Sequence, residues 1–198
     1  MAVIEIIGAI VGLLYLRLEY RASIWLWPAG VVMPLFYIYI FSVSKFYADA
    51  GIHVYYLLAS IYGWIRWRKD GDAADGSVRI RPLPRPLAWK LSIVFAGMFG
   101  LIAWALRTLT DSPAPFGDAF TTALSIVAMW MLANRYTEQW LLWIAVNAVS
   151  TGLYLWRGLY PTAVLFAVYA VVSVFGYLKW RRMSAGYADA DRSPAPGE

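Results

Sequence analysis

Seven apolar runs of roughly membrane-spanning length leave this chain little choice of fold. They cover residues 3–16, 24–43, 46–67, 89–106, 115–134, 140–156 and 159–180. A hydrocarbon core about 30 Å thick takes roughly 20 residues of helix, because a helix rises about 1.5 Å per residue. No water reaches the backbone there, so each run has to satisfy its own amides as a helix. The expected fold class is therefore all-α integral membrane, with seven transmembrane helices. Composition agrees, with 61% of residues hydrophobic and 15% charged, against roughly 45–50% and about 25% in soluble domains. The first run is short, but Arg17, Glu19 and Arg21 follow it where a cleaved leader would carry small residues. It is read as a span and not as a signal peptide.

Charge then orients the chain. Of the seventeen lysines and arginines, only Lys45, Arg107 and Arg157 fall on the N-terminal side of the alternating loops. The rest gather on the other side, which the positive-inside rule makes cytoplasmic. The expectation is a multi-pass protein of a bacterial inner membrane, N-terminus outside and C-terminus in the cytoplasm. Residues 71–86 form the one substantial loop, and residues 183–198, rich in Asp, Ser, Pro and Gly, are expected to be a disordered cytoplasmic tail. The net charge of +5 needs no nucleic acid to explain it. The lack of cysteine excludes disulfides and thiolate metal sites, and one histidine cannot build a His-rich metal cluster. No HExxH or phosphate-loop motif occurs. No metal, cofactor or catalytic set is expected.

The chain also repeats itself. Displaced by 113 residues, the interval from Trp27 to Trp140, it matches Tyr47 with Tyr160, Tyr56 with Tyr169 and Ser60 with Ser173. Gly63 meets Gly176, Trp67 meets Trp180, Arg68 meets Arg181, and Glu5 falls opposite Asp118. Spans 1–3 recur as spans 5–7 around a connector. The expected division is a first three-helix repeat at 1–67, a loop at 68–88, a connector at 89–113 and a second repeat at 114–182. A shift of four spans preserves orientation, so the repeats are parallel, an arrangement that in transporters puts substrate near the midplane between the halves. Pro34 lies opposite Asn147 in this register. Proline removes a backbone hydrogen bond and bends its helix, which makes Pro34 the candidate hinge.

Span 6 carries the strongest ligand signal. At 3.6 residues per turn Trp143, Asn147, Ser150, Thr151 and Tyr154 share a face. An amide in hydrocarbon costs several kcal/mol unless paired, and an aromatic ring beside it suits a small, flat, polar ligand. The plainer alternative is that Asn147 joins helices. On span 3, His53 stands one turn after Asp49, with Tyr56 and Ser60 continuing the face. An ionisable group inside a membrane is a functional candidate by default, although a neutral imidazole bonded to a neighbouring helix is the alternative. Thr122, Ser125 and Met129 share a face of span 5, where hydroxyls serve either a ligand or close packing. Glu5, Asp49 and Asp118 at outer span ends are candidates for attracting a cation to the entrance, or simply helix-end acids. Trp25, Trp27, Trp67, Trp140 and Trp180 are expected in an interfacial aromatic belt.

Three stretches carry a likeness to a known family: EIIGAIVGLLYLRLEYRASIWLWPAGVVMPLFYIYIF, FYADAGIHVYYLLASIYGWIRW, and WLLWIAVN ahead of a last span ending GYLKW. They resemble the PnuC-type vitamin transporter family across nearly all of residues 4–182. The resemblance implies a 3+1+3 arrangement like that of SWEET sugar transporters, often as a homotrimer in the lipid bilayer. It also implies facilitated uptake of a vitamin, most often nicotinamide riboside, in some members thiamine or riboflavin. A cytoplasmic kinase would then trap the vitamin by phosphorylation. Riboside members usually carry glutamine where this chain has His53, and Asn-Trp-Pro where it reads Leu26-Trp27-Pro28, which leaves the vitamin open. The different-class alternative is a membrane enzyme or non-transporting scaffold. An enzyme would need paired carboxylates, a nucleophile–base set or a metal cluster within the spans, and the sequence carries none.

Overall fold

The structure, a computed structural model, describes residues 2–43, 47–69 and 79–190, with side chains described for 10–39, 42, 51–69 and 79–186. Among these residues the chain is helical, without strands. Its seven helices are α1 (Ala2–Tyr20), α2 (Leu26–Val43), α3 (Tyr47–Lys69), α4 (Arg85–Leu109), α5 (Pro115–Ala133), α6 (Gln139–Trp156) and α7 (Tyr160–Ala190). Each apolar run of the sequence has its helix. By length and composition α4, α5 and α7 as far as Gly186 can each cross a membrane, and α2 has a shorter apolar stretch, Leu26–Tyr39. Pro84 precedes α4 and Pro86 sits in its first turn, where a missing N–H costs nothing.

One expectation changes here. Residues 183–190 were expected to open a disordered tail, but α7 continues through them to Ala190. Met183, Ala185, Ala188 and Ala190 favour helix, and proline first appears at Pro194. Residues 191–198 of that tail lie outside the described residues.

The chain forms two compact units. The first comprises residues 1–79 with 132–135, so it holds α1, α2 and α3. Here α2 packs along α3, and α1 packs against α2. Where α2 begins and α3 ends, the Trp27 and Trp67 rings meet edge to face, 5.3 Å apart at 83°. Gly63 leaves the space for them, since a Cβ there would lie 2.2 Å from the Trp27 ring. The Trp67 indole N–H donates to the Ala133 carbonyl at 3.2 Å.

The second unit comprises residues 80–131 and 136–198, with α6 packed along α7. Val127, Met131 and Tyr136 form its buried cluster, covered by Leu83, Leu87, Leu91 and Phe95 of the segment leading into and along α4. Trp140 and Trp180 again meet edge to face, 5.7 Å apart at 86°, and a Cβ on Gly176 would lie 2.7 Å from the Trp140 ring. Four of the five tryptophans expected in an interfacial belt, Trp27, Trp67, Trp140 and Trp180, are thus fully buried in helix–helix packing. The glycines opposite them make the pockets. Trp25 is 70% exposed, as a belt residue requires.

The turns entering α2 and α6 share one geometry. Ala22 (φ 52°) and Arg135 (φ 63°) are the non-glycine residues with positive φ among those described. The Ala22 N–H donates to the Glu19 carbonyl and Ser23 to Leu18; Arg135 donates to Leu132 and Tyr136 to Met131. These are the two bonds of a Schellman helix stop. Left-handed backbone costs a non-glycine residue roughly 1–2 kcal/mol, so both turns are held by what surrounds them. An extended segment is clasped to the second of them. Thr137 N–H donates to the Arg81 carbonyl at 3.1 Å, Leu83 N–H donates to the Glu138 carboxylate at 2.7 Å, and the Arg81 guanidinium lies over the Tyr136 ring at 5.0 Å.

Candidate functional site

The α6 face expected from helical periodicity is half occupied by contacts to α7. Asn147 is buried and donates from Nδ2 to Ser173 Oγ at 3.4 Å, a distance at the weak end for such a bond. Ser173 Oγ in turn donates to the Tyr169 carbonyl at 2.8 Å. Thr151 Oγ1 donates to the Asn147 carbonyl one turn back, at 2.7 Å. The Tyr154 ring rests on Phe166, 5.0 Å between centroids. Trp143, half-buried, has an indole N–H with no hydrogen-bond partner. The face therefore offers an aromatic platform with a spare donor, and an amide whose single bond to Ser173 is long.

In the first unit His53 is half-buried between two tyrosines. Its ring lies 4.9 Å from Tyr37 of α2 and 5.9 Å, edge-on, from Tyr56 one turn below. Tyr55 stands 5.7 Å from Tyr56. Nothing in the sequence local to α2 marks Tyr37 as a neighbour of α3. The Asp49 side chain expected beside His53, and that of Glu5, lie outside the described residues. Pro34 is buried within α2, which continues on both sides of it.

On α5, Ser125 is buried and Thr122 half-buried. α5 meets α6 closely where a Cβ on Gly117 would lie 2.8 Å from Leu153 Cδ2. Asp118, read as an entrance acid, is engaged within its own unit. Arg157 Nη2 donates to both its carboxylate oxygens, at 3.2 and 3.0 Å, and Ser112 Oγ donates to Oδ2 at 2.7 Å. Its charge is matched by a neighbouring cation at the end of α6, which blunts the long-range attraction a lone carboxylate would exert. Three or more His, Asp or Glu side chains placed to hold a metal do not occur among the described residues.

Comparison with known proteins agrees with this membrane-helical picture. The family model described as "Nicotinamide mononucleotide transporter" matches residues 2–182. The chain is 26% identical to the nicotinamide riboside transporter PnuC of Escherichia coli over 201 residues, covering 89% of this chain and 84% of that protein. It is 29% identical to the riboflavin/roseoflavin transporter RibM of Streptomyces davaonensis over 182 residues, covering 89% and 83%. The crystal structure of the vitamin B3 transporter PnuC superposes with a TM-score of 0.71 at 24% identity, covering 90% of this chain and 80% of that one. That likeness speaks to the fold.

Proposed function

The chain belongs to the nicotinamide mononucleotide transporter family, and we propose that it is a bacterial inner-membrane uniporter that takes up nicotinamide riboside. The observation carrying this reading is that relatives named as nicotinamide riboside transporters match about nine-tenths of the chain. Riboflavin is the second reading, supported by the 29% identity to a riboflavin/roseoflavin transporter. Both vitamins join a flat heteroaromatic ring to a hydroxylated chain or sugar. Trp143 and Tyr154 of α6 suit the ring. Asn147 and Thr151 beside them suit polar atoms, and Thr122 with Ser125 of the same unit are further candidate contacts, while His53 with Tyr56 form a separate candidate patch in the first unit.

The finer architecture belongs to the same proposal. A repeated three-helix unit within a 3+1+3 arrangement is supported by the matched turns at Ala22 and Arg135 and the matched tryptophan pairs, and an outside N-terminus by the distribution of lysine and arginine among the loops. Transport proceeds by alternating access, with Pro34 as a hinge. A homotrimeric assembly and a cytoplasmic kinase that phosphorylates the imported vitamin complete the picture.

Nicotinamide riboside carries a fixed positive charge. An inside-negative potential therefore drives entry by about 2.3 kcal/mol per 100 mV, without any coupled ion. The expected result in proteoliposomes is riboside flux that rises steeply with inside-negative voltage and ignores proton and sodium gradients. Flux that tracks either gradient at clamped voltage would make the protein a symporter and overturn the uniport reading.

A further inference from the structure

The polar face of α6 does not stop at Trp143. One turn nearer the start of the helix stands Gln139, fully buried, and neither its amide oxygen nor its amide nitrogen has a hydrogen-bond partner. Thr137, two residues earlier and also buried, has an unpartnered hydroxyl. Burying an amide without a partner costs on the order of 1–3 kcal/mol, so a purely structural position would be expected to select against it. The other unit shows what structure alone requires here. Leu26 holds the matching position in the turn entering α2, in the same hydrogen-bonded geometry, and is equally buried. The turn is satisfied by leucine. The second unit nevertheless keeps an amide, and it keeps it in line with the ligand face. Gln139, Trp143 and Asn147 recur every four residues, so they stack along one side of α6 over about 12 Å.

We propose that Gln139 is a further substrate-contact residue, binding a hydroxyl-bearing part of the vitamin one turn beyond Trp143 toward the start of α6. A primary amide presents a donor and an acceptor together, as a hydroxyl does. Ring stacking at Trp143 and polar contact at Gln139 and Asn147 would then divide a molecule of the riboside or riboflavin type among them. This inference rests on the uptake reading above. It assigns to Gln139 the partner that its amide lacks, acquired when the substrate occupies the face.

The test uses purified full-length protein and its Gln139→Leu variant, each titrated calorimetrically with nicotinamide riboside and with riboflavin beside a ligand-free melting curve. Leu26 is the precedent for leucine at this turn. The expected result is affinity for the transported vitamin weakened roughly tenfold or more, with a melting temperature held or raised. Should the leucine variant not fold, Gln139→Met, unbranched and close in length, carries the same expectation. Affinity within twofold of wild type overturns the contact, and so does a fall in melting temperature accompanying any loss of affinity, since the amide is then structural. Wild-type protein that binds neither vitamin overturns the uptake reading itself, and the inference with it.

Discussion

Gly63→Val and Gly176→Val are expected to be among the most damaging single substitutions in the helices. A Cβ at Gly63 would sit 2.2 Å from the Trp27 ring and one at Gly176 2.7 Å from Trp140, far inside van der Waals contact. Both indoles are fully buried and edge-packed on a second tryptophan, so neither can swing aside. Overpacking a core typically costs about 1–3 kcal/mol and sometimes more. At these distances the loss should reach or exceed the top of that range, with unfolding temperatures lowered by roughly 6–12 °C or more. Gly63→Ala should already lose stability. Adding Trp27→Leu to it should give back part of that loss, because neighbouring substitutions sharing one space are not additive. Differential scanning fluorimetry of the detergent-solubilised variants is the measurement. An unchanged melting temperature for Gly63→Ala would show that the tryptophan pair does not fill this pocket.

The second large effect is on binding. Asn147→Leu should weaken nicotinamide riboside binding about tenfold or more while leaving the fold intact. An unmatched ligand hydrogen bond costs about 1–3 kcal/mol. The fold tolerates the change because the Ser173 hydroxyl, which accepts from Asn147, keeps its own bond to the Tyr169 carbonyl. The bond that is lost is long, and leucine keeps the branching and heavy-atom count of asparagine in an apolar setting. Trp143→Ala should cost a similar amount, through lost stacking and cation–π contact with a cationic ring. If Asn147 only joins α6 to α7, the outcome inverts, with a lower melting temperature and near-normal affinity in titration.

Much of the helical framework could be read from the sequence, because hydropathy and length decide it. The run at 115–134 became Pro115–Ala133, and the run at 140–156 became Gln139–Trp156. The family too was legible, since its likeness runs through long stretches of several helices. What sequence alone could not decide was the fate of residues at helix ends. Trp27 and Trp140 looked like belt residues because hydropathy records position along a span and not the side it faces. The clue was the glycine pair, Gly63 and Gly176, in the same register as the tryptophans. Gln139 stands just before the apolar run at 140–156, so hydropathy gives no reason to single it out. The Asp118–Arg157 ion pair joins residues 39 apart on different helices, and nothing local announces it. Tyr37 beside His53 is another contact across helices of this sort.

The central claim, facilitated transport of a vitamin, is tested most directly by counterflow with no kinase present. Purified protein is reconstituted into liposomes loaded with unlabelled nicotinamide riboside, and a trace of labelled riboside is added outside. A uniporter predicts a transient rise of label inside above its external concentration, followed by decay, and absence of the rise when Asn147→Leu replaces wild type at that trace concentration. Label that equilibrates no faster than in protein-free liposomes, for nicotinamide riboside and riboflavin alike, would contradict the account.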